Sequence, residues 1–265
     1  SECLSPLKSD ESGDCSFENY ITNHSRPKAK DQFTDEAWTK MRGTYVRGLL
    51  MRGLAAYQNS DEAQLNPLQM GIIGSTDNHA GTPGHVNEAA WQGAVFGLGN
   101  LDRTMARSVF NPGGLVAVWA EENTRESIFA ALKRREVYAT SGPRIALRVF
   151  GGTRFRSYDA KRPNLAKIGY KKGVPMGSEI TGHAKAKPMQ LLIHAAKDPM
   201  SQNLDRLQVI KGWVDASGKS HEKIYDAKRA KVTKQDVRLR DATTHHEGGA
   251  SQLATVWTDP DFNPT

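Results

Sequence analysis

Hydrophobic residues recur at helical spacing early in the chain and form short runs further on. From Trp38 to Tyr57 the apolar residues lie three and four apart, which predicts one amphipathic helix facing a core. Two apolar runs, Met70–Gly74 and Leu115–Trp119, are bounded by proline or glycine and polar residues, and each predicts a buried strand. The residues before position 36 are rich in Ser, Asp, Asn and Pro, which is typical of a loop.

A helix is predicted directly after the second run. Asn123 is placed to cap it, and Glu126 three residues on resembles the second half of a capping box. Ile128, Phe129 and Leu132 would form its inward stripe. Val137–Thr140 then returns as a strand. The order strand, helix, strand predicts an α/β fold with parallel pairing.

The pattern changes beyond Pro143. No helix-length periodic segment is apparent there, and residues 169–187 and 226–249 are the most loop-like stretches. Residues 215–218 are typical of a hairpin turn. We therefore predict two domains, with α/β architecture over residues 1–143 and a β-rich, sandwich-like domain over 144–265. The predicted strands of the second domain are Ile145–Phe150, Met189–Ala195, Leu204–Val214, His221–Tyr225 and Ala250–Trp257.

The charge of the chain is basic. Lys and Arg number 36 against 29 Asp and Glu, for a net charge of +7. Such a field favours anionic partners without choosing among them. The basic residues are interleaved with acids, which favours an ordinary solvated surface over a nucleic-acid groove. No apolar run reaches the roughly 20 residues that a membrane-spanning helix needs.

The two cysteines, Cys3 and Cys15, flank a polar loop. Two cysteines so close, with none elsewhere, fit one local disulfide and an oxidising compartment, which would make the protein periplasmic or secreted. Free thiols in a cytosolic protein are the alternative. A zinc site is not favoured here, because no second cysteine pair completes four ligands.

The sharpest chemical feature follows the first apolar run. Asp77 and His79 are two residues apart, so at the end of a strand their side chains would point to the same side. A carboxylate and an imidazole together suit Mn, Zn or Fe. An Asp-x-His triplet is common by chance, and the alternative is a loop Asp capping a turn beside an unrelated His.

Several blocks of sequence resemble domain-of-unknown-function family 3604. The central ones contain the Asp-x-His triplet and the strand–helix–strand segment, and the resemblance extends over nearly the whole chain. The blocks are Ser1–Cys3, Gly71–His79, Gly114–Glu126, Ala131–Arg144, Lys211–Asp215 and Val256–Phe262.

The resemblance implies a relationship to the polymerase-and-histidinol-phosphatase (PHP) superfamily. Members of that superfamily have a distorted α/β barrel that holds two or three divalent ions, and most hydrolyse phosphoesters. Some members of family 3604 are metal-dependent arylsulfatases. By this resemblance residues 1–143 would be the C-terminal part of a PHP-like barrel, and Asp77 and His79 would be its late metal-ligand motif.

The chain departs from the superfamily pattern in one respect. PHP-type sites also need an early His-x-His motif, and none of the eight histidines of this chain forms such a pair. We expect those ligands to lie upstream in a longer protein. With only two ligands the chain by itself is expected to be inactive.

Two further residues are candidates for catalysis. Glu2 lies in a block that resembles the family and could be an acid/base group or ligand, or a plain surface residue. Arg144 could clamp a sulfate or phosphate group, although a structural role at the domain junction is the stronger interpretation. Glu121 and Glu122 suit the start of a helix better than a metal centre, and the His245–Glu247 run suits a solvated loop.

Together these features predict a metal-dependent hydrolase of small anionic esters. An aryl sulfate is the first candidate substrate and a phosphoester the second. The alternative is a non-catalytic module that binds glycans or anionic polymers through its basic surface. Nucleic-acid binding is not favoured, because no aromatic and basic residues alternate in a recognisable pattern.

Overall fold

The computed structural model describes residues 46–58, 66, 68–75, 114–180, 187–238 and 243–262. Helices and strands both occur within these ranges, so the protein has a mixed α/β architecture. The described residues fall into two compact units. No helix within them is long and apolar enough to cross a membrane.

The first unit contains helix α1 (Val46–Gln58) and residues 212–222 at the tip of a later hairpin. Arg47 forms an ion pair with Glu222. The helix is closely packed at Gly53, where a Cβ atom would lie 2.5 Å from Asn66 Oδ1 and 2.7 Å from Leu68 Cβ. The predicted helix is confirmed over Val46–Tyr57, and its predicted start at Trp38 lies outside the described residues.

The second unit contains a hairpin whose two strands are joined through a helix. Strand β1 (Gly114–Val118) leads into helix α2 (Arg125–Lys133), and strand β2 (Val137–Ser141) returns beside β1. The two strands are antiparallel, with Gly114 opposite Ser141 and Val118 opposite Val137. The prediction of parallel pairing is therefore wrong.

The reason for the reversal lies at the end of α2. Arg135 has φ 60°, its N–H bonds to the Leu132 carbonyl, and the Glu136 N–H bonds to the Ala131 carbonyl at 3.1 Å. This is a Schellman motif, and it turns the chain back towards the strand it has just left. An arginine, and not the usual glycine, occupies the left-handed position, so no glycine marks the end of the helix in the sequence.

The start of α2 also differs from the prediction. Thr124 caps the helix in place of Asn123, and its hydroxyl accepts a hydrogen bond from the Ser127 N–H at 3.3 Å. The predicted inward stripe is mostly wrong, since Phe129 is 66% and Leu132 40% exposed and only Ile128 is half-buried. The fully buried residue of the helix is Ala131.

The predicted strand Met70–Gly74 has no strand structure. Its segment lies in irregular backbone, and Ile73 is 56% exposed. Burial was inferred from the apolar run alone, but a strand also needs a ladder of backbone hydrogen bonds to a neighbour, and none covers this segment within the described residues.

Eight further strands follow within the described residues: β3 (Ala146–Gly152), β4 (Gly173–Pro175), β5 (Gln190–Ala196), β6 (Arg206–Val214), β7 (Ser220–Arg229), β8 (Val232–Arg238), β9 (Thr243–Gly248) and β10 (Gln252–Thr258). Four of them form the main sheet of the second unit, in the order β10-β5-β3-β4, and every neighbouring pair is antiparallel. A separate hairpin of β6 and β7 turns at Asp215–Gly218, as predicted, with Gly218 at φ 81°.

The two faces of the main sheet carry different cores. Leu147, Ile193 and Leu253 lie on one face, where Leu207 of the β6–β7 hairpin packs against the sheet side chains. Phe150 and Leu192 lie on the other face and are fully buried beneath a 3-10 helix (Ser157–Lys161) and helix α3 (Leu165–Lys172). Side chains alternate between these faces as the strand period requires.

Helix α3 contradicts the expectation that no helix follows Pro143. It is only eight residues long, and Gly169 interrupts its apolar pattern. The glycine is required because a Cβ atom at this position would lie 2.3 Å from the Phe150 ring. The close approach of α3 to the sheet thus requires a glycine, and this glycine weakens the apolar periodicity from which a helix is predicted.

Strands β8 and β9 also fall in a stretch predicted to be loop. They pair antiparallel, with a register shift between Val232 and Lys234. Their sequences are polar except for Val232 and Val237, so the alternation of apolar and polar residues that usually indicates a strand is weak. The His245–Glu247 run belongs to β9 and not to a loop.

Candidate functional site

Of the four residues predicted to carry chemistry, Arg144 alone lies among the described residues. Asp77, His79 and Glu2 lie outside them. The described segment nearest to the predicted metal ligands is Gly71–Ser75, which ends two residues before Asp77.

This segment packs closely against the β1–β2 hairpin. A Cβ atom on Gly71 would lie 3.2 Å from Arg135 Cγ, and one on Gly74 would lie 2.7 Å from the Leu115 carbonyl oxygen and 3.2 Å from Ala139 Cβ. The segment therefore runs from the beginning of β2 towards its end. Ser75 approaches the end of the hairpin from which residues 141–144 emerge.

Arg144 lies in the loop between β2 and β3, in an exposed position. Its backbone N–H donates to Asp198 Oδ2 at 2.8 Å, and the Met200 N–H donates to Asp198 Oδ1 at 3.0 Å. These two bonds, together with the nearby charge of Arg144, hold the pKa of Asp198 below its usual value. The carboxylate thus fixes the loop that presents Arg144.

A buried ionic cluster that the sequence did not reveal joins the hairpin to the main sheet. Glu136 is 2% exposed, although it carries a carboxylate. Arg148 Nη1, from β3, donates to Glu136 Oε1 at 2.8 Å, and the Tyr170 hydroxyl of α3 donates to the same oxygen. Arg134 Nη2 lies 3.5 Å from Oε2.

Aromatic rings surround the charged pair. The Arg148 guanidinium lies 3.9 Å from the centroid of the Trp119 ring, and the Trp119 indole N–H donates to the Leu147 carbonyl at 2.9 Å. Tyr170 packs edge-on against Phe150 at 5.0 Å. Burial and the hydrogen bond to Glu136 raise the pKa of the Tyr170 phenol. A cation–π contact and a satisfied ion pair in one place indicate a rigid junction.

Arg148, four residues after Arg144, makes the contact with Glu136 from strand β3. Arg144 lies in the loop before that strand, and both roles considered for it stay predictions. One feature of the sequence indicates this pair. Glu136 directly follows a predicted helix, and Arg148 is the one charged residue in the apolar run Ile145–Phe150.

A second polar cluster brings together two of the sequence blocks that resemble the family. Lys211 Nζ lies 2.7 Å from Asp259 Oδ2 and donates to the Asp261 carbonyl at 3.0 Å. Asp259 is 5% exposed. The Tyr225 hydroxyl donates to Asp261 Oδ2 at 2.6 Å. These contacts hold the residues after β10 against the β6–β7 hairpin. The blocks Lys211–Asp215 and Val256–Phe262 therefore contain residues with a structural role.

His221, which showed no partner in the sequence, has one in the first unit. Its Nε2 lies 2.6 Å from Asp215 Oδ2, and its ring stacks on Trp213 at 5.3 Å. Ser217 Oγ also donates to Asp215, at 2.6 Å. The serine bonds the carboxylate and not the imidazole, so the three residues brace a turn and do not form a catalytic triad.

Glu121 and Glu122 are exposed at the start of α2, and the Glu122 N–H donates to Ser127 Oγ at 3.2 Å. This position agrees with a role at the helix end. Within the described residues, no group of three or more His, Cys, Asp or Glu side chains is arranged to hold a metal ion.

The described part of the chain thus defines a mixed α/β protein in which a closely packed segment leads into the Asp-x-His motif. The model of a family described as "protein of unknown function (DUF3604)" matches residues 1–265. The chain belongs to this family. No curated protein and no solved structure matches the chain.

Proposed function

We propose that this chain is part of a metal-dependent hydrolase of anionic esters, with an aryl sulfate as the first candidate substrate and a phosphoester as the second. The Asp77-x-His79 motif carries the proposal. Its carboxylate and imidazole suit Mn, Zn or Fe. A relationship of the family to PHP-type hydrolases, which is expected from the sequence, is part of the proposal.

The packing of Gly71–Ser75 supports this proposal. Backbone held against the hairpin at Gly71 and Gly74 provides a fixed point from which the ligand motif begins. Precise placement of ligands requires rigid support of this kind. The same end of the hairpin carries Arg144, whose loop is held by Asp198. An exposed guanidinium such as that of Arg144 would suit a negatively charged ester.

The proposed fold of residues 1–143 is the C-terminal part of a PHP-like distorted barrel. A catalytic ion usually takes three or more protein ligands. The proposal therefore requires further ligands besides Asp77 and His79, and a His-x-His motif of the PHP type is their expected source. Residues 144–265 would form an accessory β-rich domain.

Divalent ions bound at this site would lower the pKa of a water molecule and polarise the ester oxygen. Arg144 would bind the sulfate or phosphate oxygens, and two charge-assisted hydrogen bonds from one guanidinium would orient the group. Glu2 is the candidate acid/base group of the chain. Periplasmic or secreted localisation, from Cys3 and Cys15, belongs to the same proposal.

The test measures metal content and ester turnover in the full-length protein. Wild type is compared with Asp77→Ala and His79→Ala, and aryl sulfate and aryl phosphate are assayed side by side. Asp205→Ala and His221→Ala are matched controls, since they remove the same side chains elsewhere. We expect both site variants to lose metal and the same activity, and both controls to keep them.

Arg144→Ala separates substrate binding from metal binding. We expect it to keep its metal but to lose about 10- to 100-fold in kcat/KM, the value of one strong charge-assisted interaction. Metal content unaffected by Asp77→Ala and His79→Ala would contradict the proposal, and a module that binds glycans or anionic polymers would then be the better interpretation.

A further inference from the structure

Almost all of the excess positive charge of the chain lies in one short stretch. Residues 154–172 contain seven basic side chains and one acidic one, Asp159, so their net charge is +6. The other 246 residues carry 29 basic and 28 acidic side chains, for a net charge of +1. Interleaving with acids therefore describes the rest of the chain but not this stretch, which we call the basic layer.

The fold places the basic layer on the outside of the main sheet. Its 3-10 helix and helix α3 bury Phe155 and Leu165 against Phe150 and Leu192 of the sheet. The opposite sides of both helices face solvent, and the charged residues lie there.

The one acid of the basic layer already has a partner. Asp159 is 1% exposed, and Lys172 Nζ lies 2.7 Å from its Oδ2. The six remaining cations are all exposed, and none of them forms an ion pair within the described part of the chain. They are Arg154, Arg156, Lys161, Arg162, Lys167 and Lys171. Positive charges gathered in this way attract anions to the surface.

Two of these cations lie beside an exposed aromatic ring. Tyr158 is 47% exposed, and the guanidinium carbons of Arg156 and Arg162 lie 6.0 and 5.8 Å from its ring centroid. Lys172 Nζ lies 5.6 Å from the same centroid. An exposed ring with cations around it offers a ligand an apolar surface and anion-binding groups in one place.

The number of charges restricts the size of the ligand. A small sulfate or phosphate ester carries about one or two negative charges, which are too few for six exposed cations. Helix α3 has eight residues and is about 12 Å long. A polymer that repeats its negative charge along its length is complementary to such a surface, and a small ester is not.

The number of rings distinguishes between kinds of polymer. Proteins that bind single-stranded nucleic acid stack successive bases on several aromatic side chains. The other exposed ring of the basic layer, Tyr170, donates its hydroxyl to Glu136 and packs on Phe150. A sugar needs only one ring, because its C–H groups are attracted to the negative face of an aromatic side chain. The surface therefore suits a polysaccharide better than a nucleic acid.

We propose that the basic layer, with Tyr158 as its platform and its six exposed cations, is a binding surface for a linear anionic polysaccharide. One sugar would pack on Tyr158, and its carboxylate or sulfate group would face Arg156 and Arg162. Neighbouring sugars would extend along α3, where Lys167 and Lys171 lie one turn apart on the same side. This surface consists of described residues, and it does not depend on the proposed hydrolase activity.

The test compares two variants of the 265-residue chain that have equal net charge. Each replaces four exposed cations by glutamine, in one case on the basic layer and in the other case elsewhere on the second unit. The layer variant is Arg156→Gln/Arg162→Gln/Lys167→Gln/Lys171→Gln, and the control variant is Arg125→Gln/Lys133→Gln/Lys228→Gln/Lys231→Gln.

The probes are heparin, which is sulfated, polygalacturonate, which is carboxylated, and single-stranded DNA. Isothermal titration calorimetry at low and at moderate salt gives their affinities. The better ligand of the two polysaccharides assigns sulfate or carboxylate as the recognised group. Melting temperatures confirm that all variants are folded.

We expect a polysaccharide to bind wild type and the control variant with similar affinity, and the layer variant at least about 10-fold more weakly. Binding to the layer variant should also depend less steeply on salt, because fewer counterions are released when fewer cations are neutralised. Tyr158→Ala should weaken binding about 3- to 10-fold, and Tyr158→Phe should not, because the ring and not the hydroxyl is the platform.

Four outcomes would overturn the proposal. They are no binding of either polysaccharide to wild type, equal losses in the layer and control variants, unchanged binding in Tyr158→Ala, and tighter binding of single-stranded DNA than of both polysaccharides. None of these readouts uses metal content or ester turnover. Failure of this proposal can therefore be told apart from failure of the proposed hydrolase.

Discussion

The two halves of one face of the main sheet are held in different ways. At Phe150 and Leu192 the sheet is covered by apolar packing, and a helix approaches so closely that Gly169 is required. At Arg148 the same face is joined to the β1–β2 hairpin by a buried ion pair. Close packing tolerates little change in volume, whereas a buried ion pair tolerates little change in charge.

Removing the charge of Glu136 should change the free energy of unfolding more than adding one methyl group in the apolar half. Glu136→Ala leaves Arg148 buried without its carboxylate, and we expect a loss of about 3–5 kcal/mol in the free energy of unfolding. Urea denaturation measures this loss. The double variant Glu136→Leu/Arg148→Met should recover most of it, because no unpaired charge remains. A double variant as unstable as the single one would show that the ion pair itself stabilises the junction.

The apolar half can be tested by adding one methyl group. Gly169→Ala should gain up to about 1 kcal/mol in helix propensity but lose about 1–3 kcal/mol through the clash with Phe150. A net loss of about 1–2 kcal/mol is expected in the same denaturation experiment. Gly142→Ala is the control, since a Cβ atom there meets nothing within 4 Å. Equal stability of the two variants would mean that α3 can move away from the sheet.

The smallest effect is expected at Asp215, a half-buried carboxylate in the turn between β6 and β7. Hydrogen bonds from Ser217, His221 and Lys219 hold the pKa of Asp215 well below its usual value of 3.8. A lowered pKa contributes stability that is present above pH 3.8 and is lost as the pH falls further. Asp215→Asn should therefore flatten the decline of the melting temperature below about pH 4, measured by thermal unfolding over a series of pH values. A decline as steep as that of the wild type would contradict this prediction.

Sequence patterns predicted the strands that form the core of the fold. Ile145–Phe150 and Met189–Ala195 were placed within two residues of β3 and β5, because both carry apolar residues on two buried faces. Strands β8 and β9 were missed because they are polar, and α3 because it is short and contains a glycine. Strand direction in the β1–β2 hairpin depends on the left-handed backbone of Arg135, which composition does not reveal.

The chemistry was less accessible to sequence than the fold. Pairing of Glu136 with Arg148 depends on a chain reversal and on sheet register, and neither can be read from residue types. Asp77 and His79 stay predictions for the metal experiment to test.

The antiparallel β1–α2–β2 hairpin has a consequence for the order of folding. Its strand contacts join residues at most 27 positions apart, from Gly114 to Ser141, whereas β5 pairs with β10, in which Gln252 lies 56 positions beyond its partner Ala196. Short-range contacts close faster than long-range ones, so the hairpin should fold early and the sheet late. During synthesis β5 has an unpaired edge until β10 leaves the ribosome, and an unpaired edge can join the strands of other chains. Aggregation during expression should therefore respond to changes in β5 and β10 more strongly than to changes in the hairpin.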